Sequence, residues 1–353
     1  MKKNSLLRLL SIVACLLLLV SCGQNKSNEE SSTATSGGEA SKTSEEAPAT
    51  NVDWPTGTVE LICGMSPGGD SDFNTRVMAK YLSEKLGQPF VVTNIKGAGG
   101  SIATDDFVTN SKPDGSRFYM NHCSLYTAKA FGLTDYGVDD MEPVCIIGLG
   151  TGEFVTINAD NPAETIQDLI EQTKQNPGKL RFGFNPGATS NYLSVVLEKE
   201  GAKFNNVASG SASDRVVALK GGHLDVIVAG WPNVKDYVEQ GDFKVLGSCA
   251  SERYQTVKDF PTLKEQGLDA SFDPYYVIYA PKGTDKAIIE KMSKACGEII
   301  NNNKDYQKEI MDSYMQVPIY YDTEEATKIT KEGEDKFMKI SDELKKSFEQ
   351  QSK

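Results

Sequence analysis

The feature that most constrains the fold is a regular alternation of apolar runs with helix-like segments from Trp54 onward. A short apolar run bounded by turn residues is typical of a strand, and apolar residues at i, i+3 and i+4 are typical of a helix. Their alternation predicts an α/β fold with doubly wound sheets. We predict a helix near 165–175 and two long terminal helices, at about 284–312 and 322–349. The predicted strands are 58–63, 90–95, 116–121, 144–148, 153–158, 180–184, 204–208, 224–229, 243–249, 275–280 and 316–321.

The turn Ser66–Asp72 is the first candidate for a ligand site. It follows the apolar run Val59–Cys63 and precedes apolar residues at helical spacing, so a helix begins there. Free backbone N–H groups and the positive end of the helix dipole favour an anion at such a position. Gly68 and Gly69 allow a ligand to approach the backbone closely. A capped turn without a ligand explains the same residues equally well.

Four further polar turns follow predicted strands, at 96–101, 120–124, 185–191 and 208–213. Ligands of open α/β sheets bind beyond the carboxyl ends of the strands, so five such turns predict a shared cleft lined with N–H and O–H donors. The candidate ligand-binding residues are Ser66, Gly68, Gly69, Asp70, Ser71, Asp72, Ala98, Gly99, Asn121, Ser124, Thr189, Ser190, Asn191 and Ser211.

Composition and missing motifs exclude several function classes. The formal net charge of −12 argues against nucleic acid as a partner, because phosphates are neutralised by clustered Lys and Arg. The sequence has no phosphate-binding loop, no complete dinucleotide fingerprint and no nucleophile elbow. We therefore predict no enzyme activity, no catalytic residues, no cofactor and no metal.

The cysteines outside the leader are predicted to be unpaired, because they show neither zinc-ligand spacing nor a disulfide framework. Cys123 lies in a polar turn, so we expect it to be the most exposed of them. The neighbouring His122 is a poor partner for a catalytic dyad, since adjacent residues on a turn usually point apart. The remaining thiols have apolar neighbours and are expected to pack as small core residues; they are Cys63, Cys145, Cys249 and Cys296.

The N-terminal segment has the pattern of a secretory signal. Positive residues precede the apolar run Leu9–Val20, which is short for a membrane-spanning helix. The ending Leu19–Cys22 resembles a bacterial lipobox, which implies a signal peptide at 1–21 and lipid on Cys22; the alternative is a plain signal peptide. Residues 22–53 are polar and small, so we predict a disordered tether.

The mature sequence resembles the substrate-binding proteins of tripartite tricarboxylate transporters, also called the Bug family. The resemblance runs from Trp54 to about the C-terminus. Its motifs are the Ser-Pro-Gly-Gly-x-x-Asp of 66–72, the Asn-x-x-Gly-Ala-Gly-Gly of 94–100, Pro113-Asp114-Gly115, Glu142-Pro143-Val144, Pro177-Gly178-Lys179-Leu180, the Leu-x-Gly-Gly-x-x-Asp of 219–225, Phe260-Pro261-Thr262-Leu263 and Ala280-Pro281-Lys282-Gly283-Thr284.

The resemblance implies a two-domain periplasmic-binding-protein-like fold of type II, with two mixed or parallel sheets and a cleft between the domains. Domain 1 would comprise 54–150 and 276–353, and domain 2 would comprise 151–275. One carboxylate of a di- or tricarboxylate would rest on the first two turns, and the turn at 189–191 would hold the other end. The implied partners are a small and a large membrane subunit of the transporter. We expect a monomer, attached only by its lipid to the outer face of the cell membrane.

Departures from the family pattern leave alternatives open. Asp70 stands where Gly is common, Lys96 where Pro is usual, and Tyr275-Tyr276 where Trp or Phe is usual. A carboxylate at position 70 would suit an acidic amino acid better than a plain dicarboxylate, unless Asp70 faces solvent. A lipoprotein that presents its ligand to a membrane signalling kinase, and an extracytoplasmic enzyme, are the other interpretations of this fold.

Overall fold

The computed structural model describes residues 52–351. The predicted signal peptide, the lipidation site Cys22 and nearly all of the tether lie outside these residues. Within them, ten strands form two five-stranded sheets. The strands are β1 Val59–Cys63, β2 Phe90–Asn94, β3 Arg117–Asn121, β4 Met141–Leu149, β5 Glu153–Asn158, β6 Arg181–Phe184, β7 Asn205–Ala208, β8 Val226–Gly230, β9 Phe243–Ser248 and β10 Tyr275–Pro281.

The first sheet has the order β2-β1-β3-β10-β4. Strands β2, β1 and β3 run parallel, and β10 is antiparallel to both β3 and β4. Because the carboxyl ends of three parallel strands meet at one edge, the turns that follow β1, β2 and β3 are neighbours. These are the first three of the predicted polar turns.

The second sheet repeats this plan with the order β7-β6-β8-β5-β9. Strands β7, β6 and β8 are parallel, and β5 is antiparallel to β8 and β9. The chain passes between the sheets after β4 and again after β9. The predicted boundary after residue 150 falls in the first connection, and the predicted boundary after residue 275 falls one residue inside β10. The division into two domains stays a prediction.

Helices cover both sheets, and their apolar residues fill the core against the buried strands. The prediction of an α/β fold with two mixed sheets is confirmed. The helices of the described residues are α1 Asp70–Leu86, α2 Ser101–Asn110, α3 Ser124–Ala130, α4 Ile166–Gln175, α5 Thr189–Lys199, α6 Ala212–Lys220, α7 Trp231–Glu239, α8 Lys286–Asn302, α9 Lys304–Tyr314, α10 Thr323–Met338 and α11 Ser341–Gln351.

The C-terminal predictions were wrong in two respects. The segment 316–321 is no strand; it touches β4 through isolated bridges at Val317 and Tyr321, because Pro318 between them has no N–H for a ladder. Each long terminal helix is also split in two. Asn303 separates α8 from α9, and its side chain accepts a hydrogen bond from Tyr306 N at 3.0 Å, which caps the new helix.

The described cysteines are unpaired and buried. Cys123 is the most exposed of them, as expected, but at 3% it is still buried, and it packs in a hydrophobic cluster of the core. Among residues 52–351, no helix has the length and apolar character needed to cross a membrane.

Candidate functional site

A cleft of about 650 Å³ lies where turns of the first sheet face turns of the second. Loops after β1, β2 and β3 form one wall, and loops after β6 and β7 form the other. Most of the predicted ligand-binding residues line it together. They are Ser66, Gly68, Gly69, Asp70, Ala98, Gly99, Ser124, Thr189, Ser190 and Ser211.

The turn before α1 opens a helix N-terminus toward the cleft. Gly69 is the N-cap residue in an extended conformation and has no side chain to cap the helix. Gly68 has a φ of 82°, which a residue with a Cβ adopts only at a cost. The first backbone N–H groups of a helix lack partners within it. Gly68 N and Ser71 N already donate to the carboxylates of Asp72 and Asp70. This turn therefore offers the N–H groups of Gly69 and Asp70 to an anion in the cleft.

Asp72 stabilises this turn through hydrogen bonds to its carboxylate. Its carboxylate accepts hydrogen bonds from Gly68 N at 2.9 Å, from Arg76 Nε at 3.0 Å and from Asn94 Nδ2 at 2.8 Å. Burial opposes ionisation of Asp72, but these hydrogen bonds and the charge of Arg76 hold its pKa below the ordinary value. Asp72 is 4% exposed and lies outside the cavity lining, so it shapes the turn.

The turn after β2 has an unusual backbone. Four consecutive residues, Gly97 to Gly100, have positive φ, and one of them is Ala98 at 45°. Gly99 meets the opposite wall of the cleft: a Cβ placed on it would lie 2.7 Å from the carbonyl oxygen of Gly187. The loops of the two sheets are therefore in contact at this point.

The turn before α5 supplies a second uncapped helix N-terminus. Its N-cap residue, Ala188, has no capping side chain. Ser190 Oγ accepts from Asn185 N at 3.0 Å, and Asn191 Oδ1 accepts from Gly187 N at 3.2 Å. These bonds fold the loop so that the first turn of α5 points into the cleft.

Helix α6 differs from α1 and α5 because its own side chains satisfy its N-terminus. Ser211 Oγ accepts from Asp214 N and donates to Asp214 Oδ2 at 2.7 Å. Arg215 on the same helix is 4% exposed and donates to the carbonyl oxygens of Gly210 and Val228. Ser211 lines the cleft, but its hydroxyl is already used as a cap.

Four predicted residues lie behind the lining rather than in it. They are Ser71, Asp72, Asn121 and Asn191, all buried. Asn121 supports the third turn, since its Oδ1 accepts from His122 N at 2.8 Å. Ser71 N donates to Asp70 Oδ1 at 2.8 Å. Their role as ligand-binding residues stays a prediction, and in this geometry they position the loops.

Four charged residues of the lining were not among the predicted site residues: Lys96, Glu153, Asp214 and Arg215. His122 also lines the cleft, where its Nδ1 accepts from Ser124 N at 3.3 Å. Glu153 is the first residue of β5, directly after the chain crosses between sheets. No motif identifies Glu153 as a site residue, although an acidic residue at the start of a buried strand can itself indicate a functional site.

Electrostatics in the cleft are set by partly buried groups of both signs. Burial raises the pKa of Glu153, and the nearby Asp70 acts in the same direction, while Arg215 and the hydrogen bond from Thr189 oppose the shift. Burial lowers the pKa of His122, against the effect of Asp70. Burial also lowers the pKa of Arg215, against Glu153 and Asp214. Near neutral pH, His122 is therefore uncharged.

A smaller cavity of about 80 Å³ shares Asp70, His122, Glu153 and Asn233 with the main cleft. Tyr276 lies on its wall and donates its hydroxyl proton to Asp70 Oδ2 at 2.7 Å. The described residues contain no group of three or more His, Cys, Asp or Glu side chains that could hold a metal ion. The arrangement is one of hydrogen-bond donors and isolated charges, suited to binding a small polar molecule.

Comparison with known proteins agrees with this geometry. Residues 74–345 match the family described as tripartite tricarboxylate transporter family receptor. A UPF0065 protein from the gbd 5′ region of Cupriavidus necator is 32% identical over 246 residues, covering 69% of this chain and 74% of that protein. Protein BugT of Bordetella pertussis is 30% identical over 263 residues, covering 72% of this chain and 80% of BugT.

Solved structures share the fold. A TctC solute-binding protein from Polaromonas has 26% identity and a TM-score of 0.65, covering 81% of this chain and 98% of that one. Two Rhodopseudomonas palustris proteins are alike in fold at 20% identity. MatC with bound malate has a TM-score of 0.70 over 82% of this chain and all of MatC. A protein with adipate has a TM-score of 0.71, covering 83% of this chain and 98% of that one.

The family resemblance drawn from the motifs is therefore confirmed. The family consists of substrate-binding receptors, and the chain is a receptor rather than an enzyme. The match spans the turn before α5 and both connections between the sheets. Together these findings place the chain in the family of solute-binding receptors of tripartite tricarboxylate transporters.

Proposed function

We propose that this receptor captures a small di- or tricarboxylate outside the cytoplasm and delivers it to the small and large membrane subunits of a tripartite tricarboxylate-type transporter. The observation that carries the proposal is a pair of helix N-termini on opposite walls of one cleft, whose N-cap residues, Gly69 and Ala188, have no capping side chain. An extended acid with a carboxylate at each end matches two separated sets of N–H donors.

The energetics are sufficient without a bidentate arginine. A hydrogen bond to a charged acceptor contributes about 1.5–3 kcal/mol. Four such bonds at the upper end of this range contribute about 12 kcal/mol, and an association cost of about 4 kcal/mol leaves about −8 kcal/mol, which corresponds to micromolar affinity. The malate and adipate bound by the two Rhodopseudomonas palustris proteins of the same fold support dicarboxylates as the first ligands to test.

Calorimetric titration of the head, residues 54–353, with malate, succinate, adipate and citrate tests the ligand class. We expect micromolar affinity for at least one of them. A matched pair of variants at Gly69 tests the place of binding. A Cβ there meets only Ser66 O, at 3.7 Å, so Gly69→Ala should keep binding, whereas Gly69→Trp should abolish it with an unchanged thermal midpoint. Equal binding by both variants would contradict the site.

The anchor and the partner need separate experiments. We propose that Cys22 carries the lipid, so Cys22→Ser should move the protein from the membrane fraction to the soluble fraction. Cross-linking in intact cells should recover the two transporter subunits with the wild-type protein. Recovery of a sensor kinase in their place would favour signalling over transport.

A further inference from the structure

We propose that the 80 Å³ cavity beside the cleft is a subsite for the ammonium group of the ligand, so that the bound acid is an amino-substituted carboxylate. This inference rests on the carboxylate ligand proposed above and narrows its chemical class. Three residues with acceptor side chains line this cavity and carry the inference: Asp70, Glu153 and Gln316.

The orientation of Gln316 follows from counting protons. Tyr276 has one hydroxyl proton, and it is donated to Asp70 Oδ2 at 2.7 Å, because an ionised carboxylate can only accept. The contact between Gln316 and Tyr276 at 3.1 Å must therefore be a bond from Gln316 Nε2 to the phenol oxygen. The other atom of the amide, Oε1, is fixed as an acceptor.

That acceptor has no donor among residues 52–351. Gln316 is 1% exposed, and its Oε1 is buried without a hydrogen-bond partner. A buried acceptor left unpaired destabilises the protein because it has lost its hydrogen bonds to water. Since Gln316 lines the cavity, a ligand that brings N–H groups removes this cost.

Glu153 and Asp70 give the cavity its charge. Glu153 Oε2 accepts one bond, from Thr189 Oγ1 at 2.8 Å, and a carboxylate has capacity for several more. The two carboxylates are close enough that Asp70 raises the pKa of Glu153. Like charges that face one cavity are stabilised by a cation between them.

Two basic side chains near the cavity, His122 and Arg215, leave room for a cation from the ligand. His122 has its Nδ1 turned toward Ser124 N and is uncharged near neutral pH, so its Nε2–H is a donor rather than a counter-charge. The charge of Arg215 favours the ionised form of Glu153 by lowering its pKa, but Arg215 lines the main cleft and is absent from the wall of the small cavity. The lining shared by the two cavities joins the subsite to the carboxylate-binding turns.

The test compares ligands that differ only in the amino group. Calorimetry is carried out with aspartate against succinate, glutamate against glutarate, and 2-aminoadipate against adipate. We expect the amino acid of at least one pair to bind at least tenfold more tightly than its deaminated analogue. Asp70→Asn should remove that preference, whereas Asp305→Asn, an exposed change of equal charge at the start of α9, should keep it. Equal affinities within every pair, or a preference that survives Asp70→Asn, would overturn the subsite.

A probe without carboxylates separates this inference from the proposed function. Methylammonium chloride should raise the thermal midpoint of the wild type more than sodium chloride or tetramethylammonium chloride does, since only methylammonium donates N–H groups. The difference should vanish in Asp70→Asn. Failure of every carboxylate to bind would refute the proposed function alone. Equal effects of the three salts on the wild type would refute the ammonium subsite.

Discussion

Substitution of Gly99 tests the contact between the loops of the two sheets. Gly99 has a φ of 66°, and its Cα faces the backbone of Gly187. In Gly99→Ala the new Cβ would lie 2.7 Å from the carbonyl oxygen of Gly187, where ordinary contact begins at 3.4 Å. The two loops would have to separate by about 0.7 Å or more at this point.

The expected cost has two parts, and a matched variant separates them. An L-residue in the left-handed region loses about 1–2 kcal/mol, and overpacking adds about 1–3 kcal/mol. Gly222 has nearly the same φ, 69°, but a Cβ added to it would have no atom within 4 Å. Gly222→Ala therefore carries the conformational cost alone.

The assay is urea denaturation of both variants, followed by calorimetric titration with the tightest-binding carboxylate. We expect the free energy of unfolding to fall further in Gly99→Ala than in Gly222→Ala, by about 1–3 kcal/mol. Carboxylate affinity should fall at least tenfold in Gly99→Ala and stay unchanged in Gly222→Ala. Equal stability and equal affinity of the two variants would refute the contact between the loops.

Three further predictions follow from the titratable groups. Burial raises the folded-state pKa of Glu153 above its ordinary value of 4.5. Between these two pKa values the folded protein holds a proton that the unfolded chain has lost, so the free energy of unfolding falls as pH rises through this range. Glu153→Gln should therefore raise the urea midpoint at pH 7, and this gain should disappear below pH 4.5. The pKa shift of Asp72 has the opposite direction, since its folded-state pKa lies below 3.8. Asp72→Asn should lower the free energy of unfolding at pH 7 by about 1.5 kcal/mol. This is the lower end for a charged hydrogen bond, chosen because Arg76 is half exposed. The loss should shrink as pH falls from 3.8 through the folded-state pKa of Asp72, and an equal loss at pH 3 would contradict this prediction. Burial raises the thiol pKa of Cys63 to about 11 and that of Cys123 well above its ordinary value, so iodoacetamide at pH 7.5 should leave the cysteines of the head unmodified until urea is added, as measured by intact mass.

The sequence predicted the strands well because most of them are buried. Runs such as Val59–Cys63 and Val226–Gly230 are apolar throughout most of their length, and such runs are typical of strands covered on both faces. The glycine-rich turns that follow these strands predicted the loops of the cleft, because turn residues are also recognised from local sequence. The split at Asn303 was missed because periodicity continues across it, and only the capping bond to Tyr306 ends one helix and starts the next.

The candidate site was only partly accessible to sequence reasoning. Asp70 was singled out from its place in a turn, but its partner Tyr276, and Gln316 which donates to Tyr276, are distant in the chain. No local pattern joins these three residues. Arg215 has the spacing of an ordinary helix residue, and only the packing of α6 against β8 buries it. Side chains that act through long-range contact require the fold to be known.

The structure of a complex with the tightest-binding carboxylate tests the proposed binding mode most directly. We expect one ligand carboxylate within hydrogen-bond distance of backbone N–H groups at the start of α1, and the opposite end of the ligand at the start of α5. A ligand bound elsewhere on the head, or one in the cleft whose carboxylates touch neither helix start, would contradict it.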